Sequence, residues 1–203
     1  MTEEKATKPK LTHQTLDKKA AAKGFGWQVF FTLINKLVLP IATLLMAREV
    51  GKSVWGLYAL MYFVFNAAEV FRDAGLTQTY LREKEVDPHR EGAYMALGIL
   101  QSALPALALF LFREPIALFF KEPAFANAIA WVSLALLING IGTIPRAKVL
   151  RAGRLYESGL RETLANIIAV TAAFVMVFAF DLEFTALITL LVLNSVMNVV
   201  ITY

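Results

Sequence analysis

The sequence contains no cysteine and only two histidines among its 203 residues. The absence of cysteine excludes disulfide bonds, thiol catalysis and cysteine metal sites. His13 and His89 each stand alone, without the spacing of metal ligands. The chain also lacks a glycine-rich loop followed by Lys and Ser or Thr, so nothing in it supports ATP hydrolysis. Because no catalytic constellation is present, we expect a protein that is not an enzyme.

Hydrophobic residues, in contrast, make up 58% of the chain, and the mean hydropathy is +0.57. A soluble domain of this size usually carries fewer. Six apolar stretches each approach the roughly 20 residues needed to cross the hydrocarbon core of a bilayer. We place the six spans at approximately 24–47, 53–71, 92–112, 123–145, 160–180 and 184–203, after a basic tail over 1–23. The predicted fold class is an all-α integral membrane protein with six transmembrane helices.

The basic residues are concentrated in alternate connections between these spans. Fifteen of the 20 Lys and Arg residues fall on one side of the predicted membrane. They are Lys5, Lys8, Lys10, Lys18, Lys19 and Lys23 in the tail, Arg72, Arg82, Lys84 and Arg90 in the second connection, and Arg146, Lys148, Arg151, Arg154 and Arg161 in the fourth. By the positive-inside rule both termini are cytoplasmic, which predicts a multi-pass protein of the cytoplasmic membrane. The tail has no apolar core of a cleavable signal peptide.

Polar residues fall on one face of the first, second and sixth spans at the helical spacing of 100° per residue. The candidate cavity residues on these faces are Gln28, Asn35 and Lys36 in the first span, Tyr58, Tyr62 and Asn66 in the second, and Asn194 and Asn198 in the sixth. Asn66, Asn139, Asn166 and Asn198 share a depth in the cytoplasmic half of their spans, which predicts a water-filled cavity open to the cytoplasm. The alternative for each asparagine is close helix packing with interhelical hydrogen bonds.

Lys36 is the charge that lies deepest in a predicted span. It follows Gly24 by 12 residues, which corresponds to a depth of about 18 Å at the rise of an α-helix. An ammonium group at that depth requires a cavity, a partner or neutralisation. Glu69 lies near the inner end of the second span, so we expect it to be interfacial and not paired directly with Lys36. Lys36 is therefore either a ligand or ion-coupling residue, or a structural charge.

Five short motifs follow one another in an order that indicates a family resemblance. They are Lys23–Gln28 (KGFGWQ), Trp55–Leu60 (WGLYAL), Arg72–Leu76 (RDAGL), Pro115–Phe120 (PIALFF) and Ile144–Arg151 (IPRAKVLR). In this order and spacing, the chain from about Lys23 to Phe180 resembles the opening of the polysaccharide (O-antigen type) flippases. Their superfamily also includes the lipid II flippases and the multidrug and toxin extruders.

The resemblance implies translocation of oligosaccharide carried on polyprenyl diphosphate, for the synthesis of cell-surface polysaccharide or lipopolysaccharide. Such flippases consist of two six-helix lobes, with roughly 12 to 14 spans, and work by alternating access. This chain would then form the N-terminal lobe, with the second lobe lost by truncation or supplied by another chain or a second copy. The implied partners are lipid-linked oligosaccharide and membrane lipids, without nucleic acid. No cofactor is expected, apart from coupling to a Na⁺ or H⁺ gradient.

A diphosphate substrate requires cations along its path. Arg72, Arg82, Arg146 and Arg154 would stand at the cytoplasmic mouth of such a flippase, where arginine suits the geometry of phosphate. The alternative for these four is ordinary positive-inside charge. Two other functions remain open, a multidrug or toxin extruder and a structural membrane subunit or inert fragment. Lys36 favours an anionic substrate over the first of these.

Overall fold

Eight α-helices, without strands, form the part of the chain that the structure describes. The structure, a computed structural model, describes residues 18–46, 48–83 and 86–202. The helices are α1 (Lys18–Met46), α2 (Lys52–Asp73), α3 (Leu76–Arg82), α4 (Pro88–Leu111), α5 (Arg113–Phe119), α6 (Phe125–Arg151), α7 (Leu155–Phe180) and α8 (Glu183–Val200). Six spans within the described residues are long and apolar enough to cross a membrane, with α2 and α3 together forming one of them. The predicted all-α class with six spans is therefore confirmed.

Several helices extend beyond the apolar stretches. Helix α1 begins at Lys18, within the predicted tail, α6 continues to Arg151, and α7 begins at Leu155. The predicted spans stopped at charged residues, whereas Lys, Arg and Glu have high helix propensity and continue the backbone hydrogen bonds. Residues 1–17 of the predicted tail lie outside the described residues.

Local sequence signals explain where helices break and begin. Between α2 and α3, Ala74 and Gly75 have φ angles of 24° and 81°. Gly75 accepts this left-handed geometry without a steric penalty, so the chain turns at this point and restarts as α3. Helix α4 begins at Pro88 after Asp87, whose carboxylate accepts a hydrogen bond of 2.7 Å from the Arg90 amide.

Helix α6 is the centre of the bundle and packs against α2, α3, α4, α5, α7 and α8. Its Ile129, Val132 and Leu136 side chains are fully buried. The contact with α4 is especially close, because Gly140 of α6 meets Ser102 and Gly98 of α4. Small residues allow helix backbones to approach in this way inside membranes.

Among the described residues, helix α1 contacts the bundle mainly through α7. Phe31 of α1 lies against Gly159 of α7, and its ring is 5.6 Å from the ring of Tyr156. Helices α1 and α2 therefore face each other across a gap. That gap is part of the cavity described below.

The outer surface of the bundle carries large apolar side chains. Leu44 of α1, Phe71 of α2 and Leu104 of α4 are all exposed. Exposure of many such side chains is unfavourable in water but suits a surface that faces lipid tails. Many polar side chains of the long helices instead face one space between the helices, and this positions the candidate site.

Candidate functional site

A cavity of about 650 Å³ lies between α1, α2, α6, α7 and α8. Most of its lining residues are polar although it lies between apolar helices. The polar lining residues are Thr32, Asn35, Lys36, Tyr58, Tyr62, Asn66, Glu69, Asn139, Arg146, Ser158, Arg161, Glu162, Asn166, Asn194, Ser195, Asn198 and Thr202. Since polar groups are costly in a membrane, their collection in one cavity marks it as the candidate functional site.

Eight of the twelve residues that the sequence nominated line this cavity. They are Asn35, Lys36, Tyr58, Tyr62, Asn66, Arg146, Asn194 and Asn198. They come from four helices, α1, α2, α6 and α8. The helical faces predicted for α1, α2 and α8 therefore converge on one space.

The other four nominated residues lie elsewhere. Gln28 does not line the cavity, and its buried Oε1 has no hydrogen-bond partner among the described residues. Arg82 is exposed on α3, and Arg154 forms an ion pair with Glu157 on α7. Arg72 is held inside the bundle by an ion pair with Glu69. Of the four arginines predicted at the cytoplasmic mouth, Arg146 is the one that lines the cavity among the described residues.

The sequence placed Asn139 and Asn166 at the depth of the expected cavity, but it nominated neither Ser158 nor Glu162, which also line it. Ser158, Glu162 and Asn166 recur every four residues along α7, and this spacing places them on one face. The spacing was a usable signal, but Ser158 lies before the predicted span over 160–180 and was not considered with it. Glu69, expected at the interface, and Asn139 also line the cavity, where the Asn139 amide donates a 3.0 Å hydrogen bond to the Glu69 carboxylate.

The charged residues that line the cavity carry a net positive charge. Its lining contains Lys36, Arg146 and Arg161 against Glu69 and Glu162, and Glu69 is already neutralised by Arg72. Lys36 forms no ion pair with Glu69, and in the described part of the chain it has no hydrogen-bond or ion-pair partner. A cation of this kind is available to an anionic ligand.

Asn35 lies beside Lys36, and its side-chain amide is buried without hydrogen bonds to the described residues. Its Nδ2 and Oδ1 atoms are both buried, and neither has a hydrogen-bond partner among the described residues. Buried amides are nearly always hydrogen-bonded in native proteins, so an orphaned pair of amide atoms indicates a place where a ligand or water completes the structure. Asn35 and Lys36 together therefore form a polar, incompletely satisfied patch on α1.

Aromatic rings form the opposite wall of the cavity on α2. The rings of Tyr58 and Tyr62 stack with their centroids 6.0 Å apart and an interplanar angle of 25°. Tyr58 is buried, whereas 43% of Tyr62 is exposed, so Tyr62 presents the accessible face. The Asn66 amide follows one turn later and donates a hydrogen bond to the Tyr62 carbonyl.

The third wall consists of amides on α7 and α8. Asn194 of α8 donates a hydrogen bond to the Oδ1 atom of Asn166 on α7. Asn198, one turn later on α8, donates in turn to Asn194. The cavity therefore combines a free cation, an accessible aromatic ring and a set of neutral amides. No cluster of three or more potential metal ligands occurs within the described residues.

Comparison with known protein families assigns the chain to one of them. The family model described as "Polysaccharide biosynthesis protein" matches residues 25–203, which is most of the chain. The chain belongs to this family. The match confirms the resemblance to the polysaccharide flippase family, and the six apolar spans describe a multi-pass membrane protein.

A curated relative supports the same assignment. The chain is 22% identical over 180 residues to a lipopolysaccharide biosynthesis protein, WzxC, of Escherichia coli (strain K12). The aligned region covers 89% of this chain and 37% of the relative, so the chain spans well under half of the relative's length. No solved structure matched the chain.

Proposed function

We propose that this chain contributes the cavity of a flippase that moves polyprenyl-diphosphate-linked oligosaccharide across the cytoplasmic membrane by alternating access. The observation that carries the proposal concerns Lys36 and Asn35, which lie side by side in a net-positive cavity. Within the described residues, Lys36 has no partner and the buried amide atoms of Asn35 have no hydrogen bond. Membership of the polysaccharide biosynthesis family supports the substrate class. The role is transport, without a catalytic residue.

The chemistry of the substrate matches the three walls of the cavity. A diphosphate has to leave water, and a cation in a surrounding of low dielectric constant compensates for its lost hydration. Lys36 supplies that charge, and Arg146 adds a second cation to the lining. The exposed ring of Tyr62 offers an apolar surface to the face of a sugar, and the amides offer hydrogen bonds to its hydroxyl groups.

The arrangement of α1 supports passage of a lipid-linked molecule. Because α1 contacts the described part of the bundle mainly through α7, the gap between α1 and α2 leaves one side of the cavity without a packed helix. A polyprenyl tail can remain in the bilayer while its polar head enters through such an opening. We further propose that both termini are cytoplasmic, that a Na⁺ or H⁺ gradient drives the cycle, and that a further set of helices completes the cavity.

The test is transport of a fluorescent polyprenyl diphosphate sugar in vesicles that contain the protein with any copurifying partner. Quenching of the outer leaflet by dithionite measures the translocated fraction. We expect Lys36→Ala to reduce the rate by about tenfold or more, and Lys36→Arg to retain most of it, because the positive charge is kept. Lys52→Ala is the matched control, since Lys52 is exposed at the start of α2 outside the cavity.

Two results would contradict the proposal. One is the absence of any translocation by the unaltered protein, and the other is an unchanged rate in the Lys36→Ala protein at equal incorporation. Efflux of a cationic dye without movement of the lipid would indicate a drug extruder instead. A protein that shows neither lipid translocation nor dye efflux would be a structural subunit.

A further inference from the structure

The asparagines on α7 and α8 form a chain of hydrogen bonds with a defined direction. The Nδ2 atom of Asn198 donates to the Oδ1 atom of Asn194 at 2.9 Å, and the Nδ2 atom of Asn194 donates to the Oδ1 atom of Asn166. We call Asn166, Asn194 and Asn198 the amide ladder. Each step of the ladder runs from an NH₂ group to a carbonyl oxygen.

A backbone carbonyl fixes this direction. The Nδ2 atom of Asn198 also donates at 2.9 Å to the main-chain oxygen of Asn194, and a main-chain oxygen can only accept. The Asn198 side chain must therefore turn its NH₂ group toward Asn194. Asn194 then has to present its Oδ1 atom to Asn198 and its NH₂ group to Asn166. Rotating any one of the three amides by 180° would place like groups together.

The direction leaves one free group at each end of the ladder. In the described part of the chain, the Nδ2 atom of Asn166 and the Oδ1 atom of Asn198 have no hydrogen-bond partner, and both residues line the cavity. Unlike the amide of Asn35, neither free atom is fully buried. The ladder thus offers a donor at its α7 end and an acceptor at its α8 end.

The free groups are held in place before any ligand binds. Asn198 is tied to the preceding turn of its own helix, and Asn194 is tied to α7, against which α8 packs closely. At the far end of α8, Arg161 of α7 donates a 3.2 Å hydrogen bond to the Thr202 carbonyl. Preorganised polar groups lose little conformational entropy when a ligand binds, so they can discriminate between ligands.

We propose that the amide ladder recognises the hydroxyl groups of the sugar nearest the diphosphate and makes Asn166 a residue that determines specificity. This inference rests on the proposed function. A sugar hydroxyl both donates and accepts, so hydroxyls of one sugar can bind the Asn166 donor and the Asn198 acceptor. The ladder carries no charge, which suits a neutral sugar, whereas the diphosphate is left to Lys36. The free ends also distinguish it from a pair of amides that only joins two helices.

The experiment measures two affinities of the purified protein in lipid nanodiscs. One probe is undecaprenyl diphosphate, and the other is the same lipid carrying one glucose, galactose or N-acetylglucosamine residue. We expect the unaltered protein to bind at least one glycosylated lipid about tenfold more tightly than the bare lipid, as two neutral hydrogen bonds allow. Asn166→Ala, which removes the donor, should lower this ratio to about threefold or less.

A pair of aspartate variants tests the direction of the ladder. Asn166→Asp retains the oxygen that accepts from Asn194, replaces the free donor with an acceptor, and adds a negative charge that acts on the diphosphate of both lipids alike. It should therefore lower the affinity ratio with little change in melting temperature. Asn198→Asp places an oxygen against the Asn194 carbonyl, so it should lower the ratio and the melting temperature together. Asn127→Asp is the control, since Asn127 is exposed on α6 outside the cavity.

The outcomes separate this inference from the proposed function. Equal binding of bare and glycosylated lipid by the unaltered protein, or an unchanged ratio in Asn166→Ala, would overturn the inference alone. A loss of both affinities by the same factor in Asn166→Ala would also overturn it, because the ladder would then act only in holding the helices together. Binding of neither lipid by the unaltered protein would overturn the proposed function with it.

Discussion

The guanidinium group of Arg72 donates hydrogen bonds of 2.9 and 2.6 Å to one carboxylate oxygen of Glu69, one helical turn earlier on α2. The same guanidinium donates a 2.6 Å hydrogen bond to the Thr143 hydroxyl of α6. Asn139 of α6 donates to the other Glu69 oxygen. These four side chains join α2 to α6 beside the cavity. Because Glu69 pairs with Arg72, it is not a partner of Lys36, which has no ion-pair partner among the described residues.

The first prediction concerns the stability of this ion pair. Arg72→Ala leaves the partly buried Glu69 carboxylate without its cation, so we expect the free energy of unfolding to fall by about 2 kcal/mol. For a chain of this size the melting temperature should decrease by about 4–8 °C. Thermal unfolding in detergent, followed by circular dichroism, provides the measurement.

Arg82→Ala is the control for this prediction. Arg82 is an exposed arginine on α3 and takes no part in the pair with Glu69, so its replacement should change the melting temperature little. Equal melting temperatures for the Arg72→Ala and unaltered proteins would show that the pair does not stabilise the bundle.

A second prediction tests the close contact between α4 and α6. A Cβ atom on residue 140 would overlap the Oγ and Cβ atoms of Ser102 and approach the Gly98 carbonyl to 3.2 Å. Gly140→Ala should therefore force the helices apart and lower the free energy of unfolding by about 1–3 kcal/mol. In Gly56→Ala, by contrast, the new methyl group meets nothing within 4 Å. This control should be neutral or stabilising, because alanine has the higher helix propensity, and equal destabilisation of both proteins would refute the packing argument.

The third prediction is the orientation in the membrane. The chain has no cysteine, so single cysteines can be introduced without background from the chain itself. We expect Glu114→Cys to react with a membrane-impermeant maleimide in intact cells, because it lies in the connection predicted outside. His89→Cys and Ala152→Cys, in connections rich in Lys and Arg, should react only after permeabilisation. The opposite pattern would reverse the predicted orientation.

A fourth prediction separates the ring of Tyr62 from its hydroxyl group. Tyr62→Ala removes the accessible aromatic face of the cavity, so transport of the glycosylated lipid should slow by about tenfold. Tyr62→Phe retains the ring and should transport at a rate near that of the unaltered protein. Phe63→Ala serves as the matched control, since Phe63 is an exposed neighbouring aromatic residue outside the cavity. Comparable losses in Tyr62→Ala and Phe63→Ala would contradict a specific role for the ring.

Most of the α1 and α2 contribution to the site was predictable from the sequence. The 100° spacing put Asn35 and Lys36 on one face of α1, and Tyr58, Tyr62 and Asn66 on one face of α2, and all five line the cavity. Gln28 shares the predicted face of α1 but does not reach the cavity. The spacing shows which side of a helix a residue lies on. It does not show how far along the helix the neighbouring helices extend, and therefore which residues on that side line the cavity.

The partners of the arginines were not predictable in the same way. The sequence treated Arg72 and Arg146 alike, as basic residues at the inner ends of their spans. In the structure Arg72 is held by Glu69 and Thr143, whereas Arg146 lines the cavity. The difference depends on which helix packs against each arginine, and a count of charges by connection contains no such information.

The sequence by itself determined the all-α class, the six apolar spans and the family, because the length of an apolar run and the order of motifs are properties read along the chain. Only the tertiary structure decided that α1 packs on α7 and faces α2 across a gap, and that Asn166 joins Asn194 and Asn198 in one ladder. These features depend on contacts between helices far apart in sequence. Small residues such as Gly140 and Gly159 set those contacts by allowing particular helix pairs to approach closely.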